Sequence, residues 1–262
     1  MQPTDVFSRN LTLPYSAINA NGKIKADWLL NIFQDAASHQ CHQFGVSGFD
    51  MVKKQLKWVV AQYQIRIHDQ RQWLAPVRLD TWRAPWKNLY EVRQFSLVAQ
   101  DETPLVTATG IWILIRAANG KPVRLTPHMP QALMQSPAPD TPLLVKPSGE
   151  FDDYHHETSV RVRFLDLDLN QHVNNRVYLR WAVEALPEPH CFAYTPARCT
   201  VSYLREGLYG HTLLNRIRLN FTDAGLSTAH AIIHKDTMKM LARISIEWDK
   251  IQPLEGLAPH GS

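Results

Sequence analysis

Asp168, Asn170 and His172 fall at alternate positions in the run Asp166-Leu167-Asp168-Leu169-Asn170-Gln171-His172-Val173-Asn174-Asn175. In an extended chain, residues i, i+2 and i+4 share one face. A carboxylate, an amide and an imidazole then converge on one small volume. An amphipathic segment opens at Asn175, and a helix N-terminus carries free backbone N–H groups and partial positive charge. An acid, a proton carrier and oriented donors are the parts needed to add water to a carbonyl. A plain polar turn joining a strand to a helix accounts for the same residues, and both readings stay open at this point.

The preceding segment has a defined phase. Val160, Val162 and Phe164 are apolar at even positions between Arg161 and Arg163, the pattern of a half-buried strand with its even residues inward. From Leu165 the apolar positions are odd: Leu165, Leu167, Leu169. Either the strand bulges there, as strands do near active sites, or Asp166, Asp168 and Asn170 continue inward. Asp166, Asp168 and Asn170 also imitate the first ligands of a calcium loop. That loop needs Gly at its sixth position and Glu at its twelfth, which are Gln171 and Val177 here, so calcium is rejected. His39 and His42 lie one turn apart around Cys41 without a third ligand or an HExxH pattern, so no metal is expected.

The 262 residues suggest one large domain or two small ones. No apolar run approaches a membrane span, and Met1-Gln2-Pro3-Thr4-Asp5 has no signal-peptide character. Cys41, Cys191 and Cys199 lack metal or redox spacing and fit a reduced, cytoplasmic setting. The net charge of +4 comes from scattered Lys and Arg, which argues against nucleic acid but suits an acidic protein partner.

Six prolines between Leu125 and Ser148 read as a stiff extended linker dividing the chain. The first half offers a strand over Phe7–Tyr15 and a helix over Ala26–Phe44, with Leu29, Ile32, Phe33, Ala36 and Ala37 on one face. Four strand-like runs follow: Leu56–His68, Val77–Trp86, Leu89–Ala99 and Leu105–Ile115. The second half repeats the order, with a strand over Thr158–Phe164, a helix over Asn175–Leu186, and runs Ala197–Leu204, Thr212–Phe221, Ser227–His234 and Met240–Trp248. One helix followed by consecutive strands, twice over, means two α+β units with antiparallel sheets. Each sheet wrapped around its long helix is the hotdog arrangement, in tandem, over residues 1–145 and 146–262.

The string from Asn170 to Asn175, with Tyr178, Trp181 and Glu184, resembles acyl-acyl carrier protein thioesterases, as do Leu56-Lys57-Trp58-Val59-Val60 and Asp80-Thr81-Trp82. The resemblance covers nearly the whole chain and implies a tandem hotdog fold. It places the family's catalytic aspartate on Asp168, its asparagine on Asn170, its histidine on His172 and a further acidic residue on Glu206. Read without the resemblance, Glu206 is an ordinary charge beside Arg205. Some relatives have cysteine after that glutamate. Gly207 stands here, so a Cys–His–Asn scheme lacks its nucleophile. Leu165 stands where relatives often have a polar residue.

The resemblance implies hydrolysis of a fatty acyl thioester on acyl carrier protein, without metal or dissociable cofactor, and is compatible with a homodimer. Glu206 or Asp168 would activate water, or attack directly. Asn170 would orient the water or thioester, and His172 would position the carboxylate or protonate the leaving sulfur. Backbone N–H groups near Asn174 and Asn175 would meet the oxyanion. The first half lacks an Asp-x-Asn-x-His string and is expected to shape the acyl pocket, with Trp58, Tyr63 and Trp82 facing its helix. The rivals are a hotdog acyl-coenzyme A thioesterase, a hotdog dehydratase and a non-catalytic acyl-binding sensor.

Overall fold

The computed structural model describes residues 6–69, 74–134, 153–188, 190–223 and 225–251. In chain order the first half contains β1 (Val6–Thr12), α1 (Ala26–Gln43), α2 (Gly48–Lys53), β2 (Leu56–Ile67), β3 (Pro76–Trp86), β4 (Tyr90–Ala99), β5 (Pro104–Arg116) and α3 (Gln131–Met134). The second half contains β6 (His156–Arg161), α4 (Asn175–Glu184), α5 (His190–Ala193), β7 (Tyr194–Tyr203), β8 (Thr212–Thr222), β9 (Gly225–His234) and β10 (Met240–Lys250).

The strands of the first half run in the order β1-β3-β4-β5-β2, and those of the second in the order β6-β8-β9-β10-β7. Every pairing along each series is antiparallel. The two orders are the same once β1 is matched with β6 and β2 with β7. The fold is α+β, a tandem hotdog. The chain divides into two compact units, and the division falls inside α1: Asn31–Asp69 belong to the first unit, whereas Pro14–Leu30 belong with the second half.

Each unit buries an apolar helix face and a polar group beneath it. In the first unit, Phe33 of α1 stacks on Phe95 of β4 with ring centroids 4.7 Å apart, and fully buried Tyr63 lies next to Phe95. Arg83, Glu91 and Arg93 are also buried, and the Glu91 carboxylate takes hydrogen bonds from both guanidinium groups. Arg93 donates onward to Gln40 of α1 at 2.6 Å. In the second unit Val177, Tyr178, Leu179, Trp181 and Ala182 of α4 are buried. Asn215 donates to the Trp181 carbonyl at 2.9 Å, and His230 lies between Asn215 (3.3 Å) and Thr228 (2.9 Å).

Several expectations from the sequence change. β6 ends at Arg161, and Phe164 is not inward but 75 % exposed, because a 3-10 turn over Phe164–Asp166 breaks the alternation. Trp82 is exposed too, since it points away from the helix-facing row of Thr81 and Arg83. The proline-rich stretch is not wholly an extended linker: Pro130 precedes the short helix α3, and Leu125, Met129 and Leu133 join the first unit's core. Residues 135–148 of that stretch lie outside the described residues. Helix α2, which the sequence reading passed over, starts in a capping box between Ser47 and Asp50. His39 stacks on Phe7, Cys41 receives an N–H from Arg93 at 3.3 Å, and no metal-holding cluster of His, Cys, Asp or Glu exists among the described residues.

Candidate active site

The run from Asp168 to His172 is not extended. It is a turn, closed by Asp168 N–H donating to the His172 carbonyl at 2.8 Å, with Gln171 in the left-handed region at φ 61°. Asp168 holds this turn with its own carboxylate: Oδ1 accepts from the N–H of Asn170 (2.8 Å) and of His172 (3.4 Å). Such side-chain-to-backbone bonds are the usual work of Asp in turns. Leu167 bridges Val173 across the turn, and Asn174 N–H donates to the Asp166 carbonyl at 2.8 Å. Asp166 is buried and anchors the base of the turn, accepting from Arg180 of α4 at 2.6 Å and from the Arg163 N–H at 2.9 Å.

The segment after β7 lies alongside this turn. His172 bridges Leu208, and Val173 N–H donates to the Gly207 carbonyl at 2.9 Å. This brings Glu206 to His172, with Oε2 3.2 Å from Nε2. The imidazole is mostly covered at 19 % exposure, whereas the Glu206 carboxylate is 46 % exposed. A carboxylate open to solvent and held by an imidazole can take a proton from water, and the imidazole can carry one to a leaving group.

Gly207 is a close-contact position. A Cβ there would meet Val173 Cγ2 at 2.9 Å and Tyr178 Oη at 3.0 Å. The same closeness lets the Gly207 N–H donate to Tyr178 Oη at 3.0 Å. Burial, with Glu206 and Asp168 nearby, pushes the Tyr178 phenol above its ordinary range, so the ring keeps its proton. The sequence placed Tyr178 on the helix and among the residues that carry the family resemblance, without a role at the site.

The remaining expected residues divide. Asn170 is on the turn with its side chain toward solvent. Asn174 is the N-cap of α4, its Oδ1 accepting from Arg176 N–H at 3.1 Å. Its own N–H donates to the Asp166 carbonyl. Asn175 is buried, and its Oδ1 has no hydrogen-bond partner among the described residues.

The sequence reading missed a second copy of this turn, also part of the second unit. Tyr15–Ala17 forms the 3-10 turn, Ile18 bridges Ile24, and Asn19 N–H donates to the Lys23 carbonyl at 2.8 Å. Asn19 Oδ1 accepts from the N–H of Asn21 and of Lys23, both at 2.9 Å, and Gly22 has φ 70°. Asn19, Asn21 and Lys23 thus stand where Asp168, Asn170 and His172 stand in the other turn. The shared spacing ahead of each helix was present in the sequence, but only Asn21 matches by residue type.

Comparison with known proteins bears on the family and the fold. Residues 4–133 match the acyl-ACP thioesterase N-terminal domain, and residues 149–250 match the C-terminal domain. A chloroplastic palmitoyl-acyl carrier protein thioesterase of Gossypium hirsutum is 30 % identical over 220 residues, which is 77 % of this chain and 52 % of that protein. The chain spans about half the length of such curated relatives. A Lactobacillus plantarum structure described provisionally as an oleoyl thioesterase is 25 % identical with a TM-score of 0.85, covering 95 % of this chain and 96 % of that one. The 12:0-ACP thioesterase from Umbellularia californica shares the fold at 20 % identity, with a TM-score of 0.82 over 94 % of each chain. With both halves matched in order and the fold shared end to end, the chain belongs to the acyl-ACP thioesterase family.

Proposed function

We propose that this protein hydrolyses fatty acyl thioesters carried on the phosphopantetheine arm of acyl carrier protein, releasing free fatty acid and the carrier thiol. The observation that carries this reading is the Glu206–His172 pair at 3.2 Å, set beside a turn held by Asp168. Glu206 takes a proton from water as its oxygen bonds to the thioester carbon. The carbonyl re-forms as the C–S bond breaks, and the proton taken up by Glu206 passes through His172 to the departing sulfur. Asn170 orients the water or thioester from the turn, and the start of α4 at Asn175 meets the developing oxyanion. Asp168 acts through the turn rather than as the base. Gly207 leaves no thiol in this position, which favours water over a cysteine nucleophile.

Chemistry belongs to residues 146–262, and we assign acyl-chain preference to residues 1–145, where no Asp-x-Asn-x-His string occurs. Neither metal nor dissociable cofactor enters this scheme. A cytoplasmic location and a homodimer complete the proposal, the latter tested by light scattering. The decisive assay supplies matched acyl-carrier and acyl-coenzyme A substrates of varied length and measures the fatty acid released. Glu206→Gln and His172→Ala should each lower turnover by about a hundredfold or more. Near-parent rates in both folded variants remove the pair from the mechanism.

A further inference from the structure

The duplicated turn provides an internal control for what its geometry requires. Both copies make the same backbone bonds, yet their exposed side chains differ. Ser16 and Ala20 in the first copy correspond to Leu165 and Leu169 in the second, which are 85 % and 63 % exposed. The fold of the turn therefore does not call for these leucines. Phe164 beside them, and Leu204, Leu208 and Tyr209 on the neighbouring segment, are also large, apolar and exposed. The two segments run side by side, because Gly210 N–H donates to the Val162 carbonyl at 3.1 Å and Val162 N–H to the His211 carbonyl at 2.9 Å. They are also the segments that carry His172 and Glu206. A lip of exposed apolar side chains, gathered on the two segments that carry the reactive groups, marks an interaction site rather than a solvated surface.

The rim of the lip is basic. Arg161, Arg163 and Arg205 are exposed on the same two segments. Thr12 and Pro14 occupy the places of Arg161 and Arg163 in the first copy, whose own cations, Lys23 and Lys25, stand at other positions of the turn, so these two arginines belong to the second turn alone. We infer that this lip, apolar within and arginine-rimmed, is the docking surface for the acyl carrier protein. The inference rests on the hydrolysis proposed above and adds where the partner sits. The occupant is an acidic protein with apolar side chains among its acidic ones, because that chemistry complements both features of the lip. Its position follows from continuity with the site: a substrate tethered to a protein brings that protein to the mouth where the tether enters.

The test transplants the first copy's residues. Leu165→Ser with Leu169→Ala keeps side chains that an identical turn already tolerates, and circular dichroism should match the parent. The Michaelis constant for an acyl-carrier substrate should rise about tenfold, as loss of some 1.4 kcal/mol of binding requires. Turnover at saturation, and kcat/KM for the same acyl group on N-acetylcysteamine, should stay near parent values. Arg161→Gln with Arg163→Gln should flatten the salt dependence of the carrier reaction. Unchanged Michaelis constants in both double variants overturn the docking surface. So does loss of binding to anionic phospholipid vesicles with carrier kinetics intact, which would make the lip a lipid-facing surface. If the parent protein cleaves the N-acetylcysteamine thioester but no acyl-carrier substrate, the carrier reading itself fails.

Discussion

Asp168 Oδ1 accepts two backbone N–H groups, and Asn19 Oδ1 makes the same two bonds in the other turn. A carboxamide is therefore sufficient to close this structure. Removal of the acceptor leaves two turn N–H groups without it and frees the backbone on which His172 rests. Asp168→Ala should lower turnover by about a hundredfold, through loss of the His172–Glu206 alignment. Asp168→Asn should hold turnover within about tenfold of the parent, because position matters here more than charge. A hundredfold loss in a folded Asp168→Asn variant would make Asp168 the base and Glu206 its support. Glu206→Gln, by contrast, keeps shape while removing the proton acceptor, so the pair of isosteric changes separates the two carboxylates.

At the scale of elements, the two sheets share one strand order but stabilise their helices differently. Beneath the C-terminal part of α1, Arg83 and Arg93 converge on Glu91, and Arg93 reaches Gln40 and the Cys41 sulfur. All three charged side chains are almost completely buried. Breaking a buried ion pair by removing one charge leaves its partner uncompensated in low dielectric. Glu91→Gln leaves two buried cations without a counter-charge, and should destabilise the protein by about 3–5 kcal/mol in urea unfolding. A change under about 1 kcal/mol would mean that water or relaxation already compensates the arginines. The second unit uses neutral groups in the corresponding region, with Asn215 reaching the Trp181 carbonyl and His230 bonded to Asn215 and Thr228.

That histidine gives the whole molecule a pH dependence. Burial pushes His230 down to about 3 from its ordinary 6.5, so the folded protein holds it neutral. In the unfolded chain the same ring takes up a proton below about 6.5. Between those two values the unfolded state binds more protons, and stability rises with pH. The contribution is therefore complete above about 6.5 and declines as pH falls toward 3. Urea midpoints measured from pH 7 to pH 4 should fall steadily in the parent. His230→Gln, which cannot titrate, should show a shallower fall over that window. Equal slopes in the two proteins would place the acid sensitivity elsewhere.

The sequence by itself determined the repeated order of one helix and consecutive strands, because apolar periodicity and turn residues are local properties of the chain. It also singled out Asp168, Asn170 and His172 by type and spacing. Their geometry depended on which hydrogen bonds win: the Asp168 carboxylate captures nearby N–H groups, and the expected extended run becomes a turn. Glu206 carried no local signal, since its meaning comes from a segment about thirty-four positions away from His172 that the sheet returns to its side. The second turn stayed hidden for a related reason. Asn19, Asn21 and Lys23 preserve the backbone bonding of the first set but not its ionisable groups, and periodicity does not register bonding. The alternation left open which way Leu165 and Leu169 face; the 3-10 turn over Phe164–Asp166 and the turn from Asp168 to His172 leave both exposed. Only long-range pairing decides which apolar residues face a core and which stay exposed.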